Sequence, residues 1–372
     1  MMNAAETFHP GEFLKDELEA RNWSQAEFAE IIGRPARLVN EIIAGKKSIT
    51  PETAVQIGDA LGTGAELWMN LESQYQLSKV RPESNAIQRK SALYAFCPIR
   101  DMTKRGWIDP TENVDILERQ VLHFFSISSL DQRPAFSHAA RKTSYSETSV
   151  LQFAWLFRAK QIAEKQVLKK YKREYLIELL PKLEALRSAP EEARHVSKYL
   201  SECGVCFVIV EALPGSKIDG ACFWLDGGSP VIALSLRLDR IDNFWFVLRH
   251  EIEHVLQEHG KDKAFMIDED IASKNDSDLV EEEKIANDAA SNFCVNRNEL
   301  TNYIRRVSPY VFSEIRVIGF ARRLGIDVGI VVGQLQKRLD KWQYLRKHLV
   351  KIRHIVLQTT IVDGWGTPYP ID

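Results

Sequence analysis

The chain has 372 residues, 45% hydrophobic and 27% charged, with a formal net charge of −2. That length suits two or three domains, and the near-neutral balance gives no blanket indication of nucleic-acid binding. No apolar run reaches the roughly 18 residues that a membrane span needs, and no signal-peptide pattern opens the chain, so a cytoplasmic protein with no membrane partner is expected. Five scattered cysteines, Cys97, Cys203, Cys206, Cys222 and Cys294, fit reduced buried thiols better than a disulfide frame. Cys203 and Cys206 form a C-x-x-C with no partner pair where an apolar strand begins, which fits core packing rather than metal or redox work.

The first eighty residues are a run of short helices with sharp starts. Pro10 opens one that carries Phe13, Leu14 and Leu18 inward. Ser24 and Glu27 form a capping box for the next, which Gly33 ends. Pro35 leads into a third, closed by Gly45, with Leu38, Val39, Ile42 and Ile43 packing and Arg37 and Asn40 left outside. Thr50 and Pro51 begin a fourth, and Thr63 to Glu66 caps a fifth. Two short helices joined at a glycine inside a five-helix unit describe a helix-turn-helix.

The strings His9-Pro-Gly-Glu-Phe-Leu14, Trp23-Ser-Gln-Ala-Glu-Phe-Ala29, Asn40-Glu-Ile-Ile-Ala-Gly-Lys46, Ile49-Thr-Pro-Glu-Thr-Ala54 and Leu67-Trp-Met-Asn-Leu71 make the resemblance specific. Essentially all of residues 8–77 resembles the HigA-type antitoxins, small repressors of Cro/C1 type. The resemblance implies a homodimer, operator DNA of palindromic form and a cognate toxin protein as partners. Residues 1–80 nevertheless hold 7 Lys and Arg against 12 Asp and Glu, a net of −5, whereas phosphate neutralisation is what gives a DNA-binding domain its affinity. Distribution offsets this, because Arg34, Arg37, Lys46 and Lys47 face only Glu41 in the recognition segment. Arg37 and Asn40 are the candidates for base edges, and Arg34, Lys46 and Lys47 for phosphates. Family members often carry Gln where Arg37 stands, so the operator sequence does not carry over.

Arg81-Pro-Glu-Ser-Asn reads as a break, which sets a domain boundary near residue 80. Beyond it, helix-like segments at roughly 86–96, 111–125, 146–170, 172–187 and 190–202 make residues 81–200 a helical connector. Asp109-Pro110 is the expected cap of the second of these. Seven basic residues from Arg158 to Arg173, against the single acid Glu164, read as a solvated helix face, with a grip on DNA or an acidic partner as the alternative.

Three apolar runs at 205–210, 220–225 and 230–236 predict strands. They lead into 243–260, where Phe244, Val247, Leu248, Ile252, Val255 and Leu256 recur at helical steps and Gly260 closes the pattern. His250 and His254 stand four apart, so one helix face offers two imidazoles to one tetrahedral Zn2+, while Glu251 lies beside them to polarise a water. This is the His-Glu-x-x-His signature of zinc metallopeptidases. Two histidines leave a catalytic zinc one ligand short, and the acidic start of a second helical segment supplies it: Glu283 is the choice, with Glu281 and Glu282 the alternatives. Asn287, one turn on, is placed to hold a ligand histidine by its other ring nitrogen. A sheet edge beside the zinc helix would let a peptide lie by β-augmentation.

Residues 219–236, Phe246 to His254, His259-Gly260, Glu283 to Phe293 and the tail 320–336 resemble the ImmA/IrrE metallopeptidase family. By position, the resemblance implies zinc ligands at His250, His254 and Glu283 and a general base at Glu251, with cleavage of a repressor protein as the activity. Glu253 departs from the glycine common in that family and sets an extra carboxylate beside the site, either as a supporting contact or as like-charge pressure on Glu251. The expected fold is α+β, mostly α: a five-helix domain over residues 1–80, the connector over 81–200, and a zincin-like domain with a small sheet and a helical tail over 201–372. The expected function is a HigA-type transcriptional regulator carrying a zinc-dependent endopeptidase that cleaves itself or a partner repressor. Its alternative is a repressor whose metal domain is catalytically silent and serves as sensor or toxin-binding module.

Overall fold

Most of the helix starts written into the first eighty residues recur in the computed structural model, which describes residues 8–80, 85–132, 141–142, 149–225, 228–259, 261, 266–269, 281–307 and 312–371. The break at 81–84 and the closing Gly260 lie outside the described residues. The chain divides into two compact units, residues 1–88 and 89–372.

The first unit holds α1 (Pro10–Ala20), α2 (Gln25–Ile31), α3 (Ala36–Ile43), α4 (Pro51–Leu61) and α5 (Ala65–Lys79). Each start has a local cause. His9 Nδ1 accepts the Gly11 N–H, Ser24 and Glu27 complete their capping box, and Thr50 caps a helix with proline in its first turn. The fifth start differs from expectation: Gly64 is the cap with no side-chain bond, and Thr63 Oγ1 instead accepts from Trp68 Nε1 at 2.8 Å. Leu14, Leu18, Phe28, Val39, Ile42, Ile57 and Trp68 make the core. Phe13, expected inward, is 41% exposed, because the inward stripe of α1 runs through Gly11, Leu14 and Leu18 and residue 13 sits about 100° off it.

The second unit, entered within α6 (Ala86–Phe96), goes on with α7 (Ile99–Lys104), α8 (Val114–Phe124), β1 (Arg141–Lys142), α9 (Val150–Glu164), α10 (Arg173–Ala185) and α11 (Val196–Glu202). Asn113 caps α8, not Asp109. Then follow β2 (Cys206–Val210), β3 (Ile218–Leu225), β4 (Ser229–Leu234), α12 (Ile241–Leu256), β5 (Met266–Glu269), α13 (Glu281–Cys294), α14 (Arg297–Val307), α15 (Glu314–Leu324), α16 (Val328–Leu339), α17 (Arg353–Val356) and β6 (Ile361–Asp363). The sheet order is β1-β5-β3-β4-β2-β6, with β2 parallel to β4 and β6, and β3 antiparallel to β4 and β5. The three expected strands form its middle. β3 is therefore no open edge, since β5 covers its outer side.

Two cores flank the sheet. Phe207, Ile209, Cys222, Ile232 and Leu234 face α12 and the helices around it; Cys206, Val208, Ala221, Phe223, Val231 and Ala233 face α9 and the helices before it. Alternation along each strand sends neighbours to opposite faces, so both need cover. The segment expected to be a separate connector is that cover, and the boundary drawn at residue 200 cuts through one structural unit. The expected basic face of α9 is likewise not solvated at its start. Arg158 is buried, with Nε 2.8 Å and Nη2 2.5 Å from Asp363 Oδ2, and Trp107 Nε1 donates to the other carboxylate oxygen. This pair fastens β6 and the chain after it to α9. None of the described helices is long and apolar enough to cross a membrane.

Candidate functional site

α12 is buried on nearly every side, between the sheet and the packed helices α13 and α16. Burial fixes its rotation, and the rotation aims two rings at one point. His250 and His254 are completely buried, and their Nε2 atoms lie 3.0 Å apart. Glu283, in the first turn of α13 and also buried, brings Oε2 to 3.2 Å from His250 Nε2 and Oε1 to 3.4 Å from His254 Nε2. Ligand atoms held tetrahedrally at about 2.0–2.2 Å from a zinc ion are themselves about 3.3 Å apart. The three groups thus stand at coordination spacing, and two imidazole nitrogens with a carboxylate are a donor set that zinc accepts. Among the described residues this is the one group of three candidate ligands within 4.8 Å of each other. Glu281 is exposed and Glu282 half-buried, and neither joins it.

The outer ring nitrogens are also engaged. His250 Nδ1 lies 3.1 Å from Asn287 Oδ1, and His254 Nδ1 lies 2.8 Å from His259 Nδ1. A bond at Nδ1 fixes tautomer and ring plane, and so keeps each Nε2 turned inward. His259 is held in turn by Trp224 Nε1, which donates to its carbonyl at 2.9 Å. Arg173 closes the same end of α12 by donating to the Leu256 carbonyl at 2.8 Å.

Glu251 is fully buried on the side of α12 that meets β3. Its carboxylate rests against Gly220, where a Cβ would collide with Oε1 and press on Val247. Sequence reasoning missed Gly220; a glycine inside a strand pattern was the one available sign of close approach. The extra carboxylate of Glu253 is bound along its own helix, to Arg249 Nη2 at 2.7 Å and Gln257 Nε2 at 2.7 Å. All five cysteines are buried and none forms a disulfide, and burial alone pushes the Cys97 and Cys206 thiols up to about 12.

In the first unit α3 buries Val39 and Ile42 and leaves Arg37, Asn40, Lys46 and Lys47 exposed on and just after it. Arg37 reaches Glu41 at 2.7 Å along the helix. Arg34 is drawn away from this set, half-buried against Gln56 and Glu52 of α4 at 2.8 and 2.6 Å.

An N-terminal helix-turn-helix joined to a buried His-Glu-x-x-His helix with a third acid defines a class: a DNA-binding module fused to a metallopeptidase-like domain. Comparison with known families agrees. Residues 14–68 match the helix-turn-helix family and residues 205–336 the IrrE N-terminal-like domain of peptidase family M78. Virulence-associated protein A of Dichelobacter nodosus is 36% identical over 76 residues, 20% of this chain and 74% of that protein. The uncharacterized HTH-type transcriptional regulator YddM of Escherichia coli (strain K12) is 27% identical over 78 residues, 21% of this chain and 83% of its own length. Among solved structures, Pseudomonas aeruginosa antitoxin HigA with the higBA promoter is 34% identical, covering 22% of this chain and 90% of that one, with a TM-score of 0.21. The chain therefore belongs to the Cro/C1-type helix-turn-helix family through its first unit and carries an ImmA/IrrE-like peptidase-family domain in its second.

Proposed function

We propose that the chain is a transcriptional regulator of HigA antitoxin type whose second unit is a zinc-dependent endopeptidase that cleaves the chain itself or a partner repressor. The convergence of His250, His254 and Glu283, with Glu251 buried beside them, carries this reading. Those three would hold Zn2+, and Asn287 and His259 would keep the two rings in place. The ion, when bound, supplies a Lewis acid that polarises the scissile carbonyl and makes a nucleophile of water near neutral pH. Glu251 takes a proton from the attacking water and returns it to the leaving amine. The low-dielectric wall of Gly220 and Val247 keeps the carboxylate in one position for both transfers. On the DNA side, a homodimer sets α3 against a palindromic operator, with Arg37 and Asn40 at base edges and Lys46 and Lys47 at phosphates. A cognate toxin is the expected protein partner of the same unit.

Metal analysis of the purified chain, followed by Glu251→Gln with its metal retained, tests the enzymatic half. Expected are one zinc per chain in both proteins, and self-cleavage or cleavage of a co-expressed helix-turn-helix repressor by the wild type alone, slowed by about 100-fold or more in the variant. Equal persistence of every candidate substrate with both proteins would leave the metal domain as a silent sensor or toxin-binding module.

A further inference from the structure

α14 and α15 border an open groove of about 520 Å3, lined by Tyr303, Arg306, Arg316, Phe320 and Arg323. The Tyr303 and Phe320 rings stack at 4.1 Å. Residues 297–324 contain six arginines, no lysine and two glutamates, a net of 6 − 2 = +4. Among the described residues only Arg297, with Asp288, and Arg323, with Glu299, have carboxylate partners. Glu314 is taken by Lys347 and His348.

Helix electrostatics explains part of this placement. Arg305, Arg306, Arg322 and Arg323 stand in the last turns of their helices, where the dipole welcomes a cation. Arg316 stands in the first turn of α15, exposed and with no carboxylate within reach among the described residues, where the dipole opposes it. Helix stability does not account for Arg316, whereas a shared anion does. The Tyr303 hydroxyl beside it is buried with no hydrogen-bond partner among the described residues.

The first unit poses the matching problem. It must hold DNA with a net charge of −5 over residues 1–80, and one of its four local cations, Arg34, is committed to Glu52. We infer that the arginine groove of α14 and α15 is a second DNA-contacting surface, one that grips backbone phosphates and reads no bases. The inference rests on the DNA-binding reading of the first unit. Guanidinium forks meet phosphate oxygens in pairs, which suits an all-arginine surface, and each phosphate neutralised adds salt-dependent affinity without sequence preference.

The test uses the full chain and a fluorescein-labelled duplex of about 30 base pairs and arbitrary sequence, titrated by anisotropy between about 50 and 200 mM NaCl. Arg306→Gln/Arg316→Gln is expected to flatten the slope of log affinity against log salt by about 1.8, or 0.9 for each of two phosphates, and to weaken binding roughly tenfold or more at 0.1 M salt. Arg306→Lys/Arg316→Lys, which keeps the charge, is expected to retain the slope. Lys46→Gln/Lys47→Gln tests the first unit separately: it should flatten the slope by a similar amount of its own, however the groove variant behaves. An unchanged slope and affinity in the Gln variant would overturn the inference. So would loss of binding to a labelled polyglutamate peptide with duplex binding intact, which would make the groove a dock for acidic protein.

Discussion

Gly220 contributes a missing atom. On β3 it allows the Glu251 carboxylate to lie against the strand, at a place where a Cβ would overlap Oε1. The clash is with the far end of a long side chain rather than with backbone, so Gly220→Ala should cost little stability. It should instead push the carboxylate off its line to the attacking water, and 1 Å of misplacement at a reacting group costs about 100-fold. The expected outcome is a chain with full zinc content, a melting temperature within a few degrees of wild type and cleavage slowed by about 100-fold. Equal cleavage rates in the two proteins would show that Gly220 does not position the base. The nearness of His250 to His254 follows from helical spacing alone, because residues four apart share one helix face; Glu283 comes from another helix. Gly220 and His259 do not follow from that spacing, because a strand and a chain segment beyond α12 deliver them.

His9 shows at the scale of an element how one side chain can make a helix depend on pH. Its Nδ1 accepts the Gly11 N–H at 2.8 Å at the head of α1, its ring lies edge-on to Tyr75, and it is buried. Burial lowers its pKa from 6.5, with Glu72 pulling the other way. A histidine with a depressed folded pKa favours folding in its neutral form, so its contribution is complete above pH about 6.5 and is lost as pH falls below that value. Hydrogen exchange of the α1–α5 amides in the full chain should quicken, relative to intrinsic rates, between pH 7 and about 5.5. His9→Asn, which keeps a capping oxygen and loses the titration, should flatten that dependence, and an equally steep one would exclude His9 as its source.

The strands teach a related lesson. Cys206-Phe-Val-Ile-Val210 is an unbroken apolar run, and such a run is buried on both faces. That pattern already demanded helices on two sides. What composition concealed was their source, since α6 to α9 precede β2 by up to 120 residues. Arg158 was illegible for the same reason: its partner Asp363 is 205 residues away, and a charge pair so distant looks like surface until the chain folds.

For the whole molecule, the two units keep separate cores, one around Phe28, Ile42 and Trp68 and the others on the two faces of the sheet. Damage to one should therefore spare the chemistry of the other. Phe28→Ala removes a fully buried ring and should cost the first unit about 3–5 kcal/mol, abolishing operator binding near 37 °C while metal content and cleavage stay at wild-type values. Parallel loss of zinc in that variant, measured by elemental analysis, would contradict the independence of the cores.

Local rules act over three or four residues, and whatever they govern was settled by the sequence itself: the helix caps at Ser24 and Thr50, the strand runs, the pairing of His250 with His254, and the outward face of α3. Folding decided what depends on distant neighbours. It brought Glu283 rather than Glu281 or Glu282 to the two rings, set Glu251 on a glycine, engaged Glu253 along its own helix, drew Arg34 toward Glu52 and packed the expected connector into both cores of the second unit. The physical reason is common to all of these. A side chain's role is set by what lies within a few ångströms of it, and only the tertiary fold brings remote residues that close.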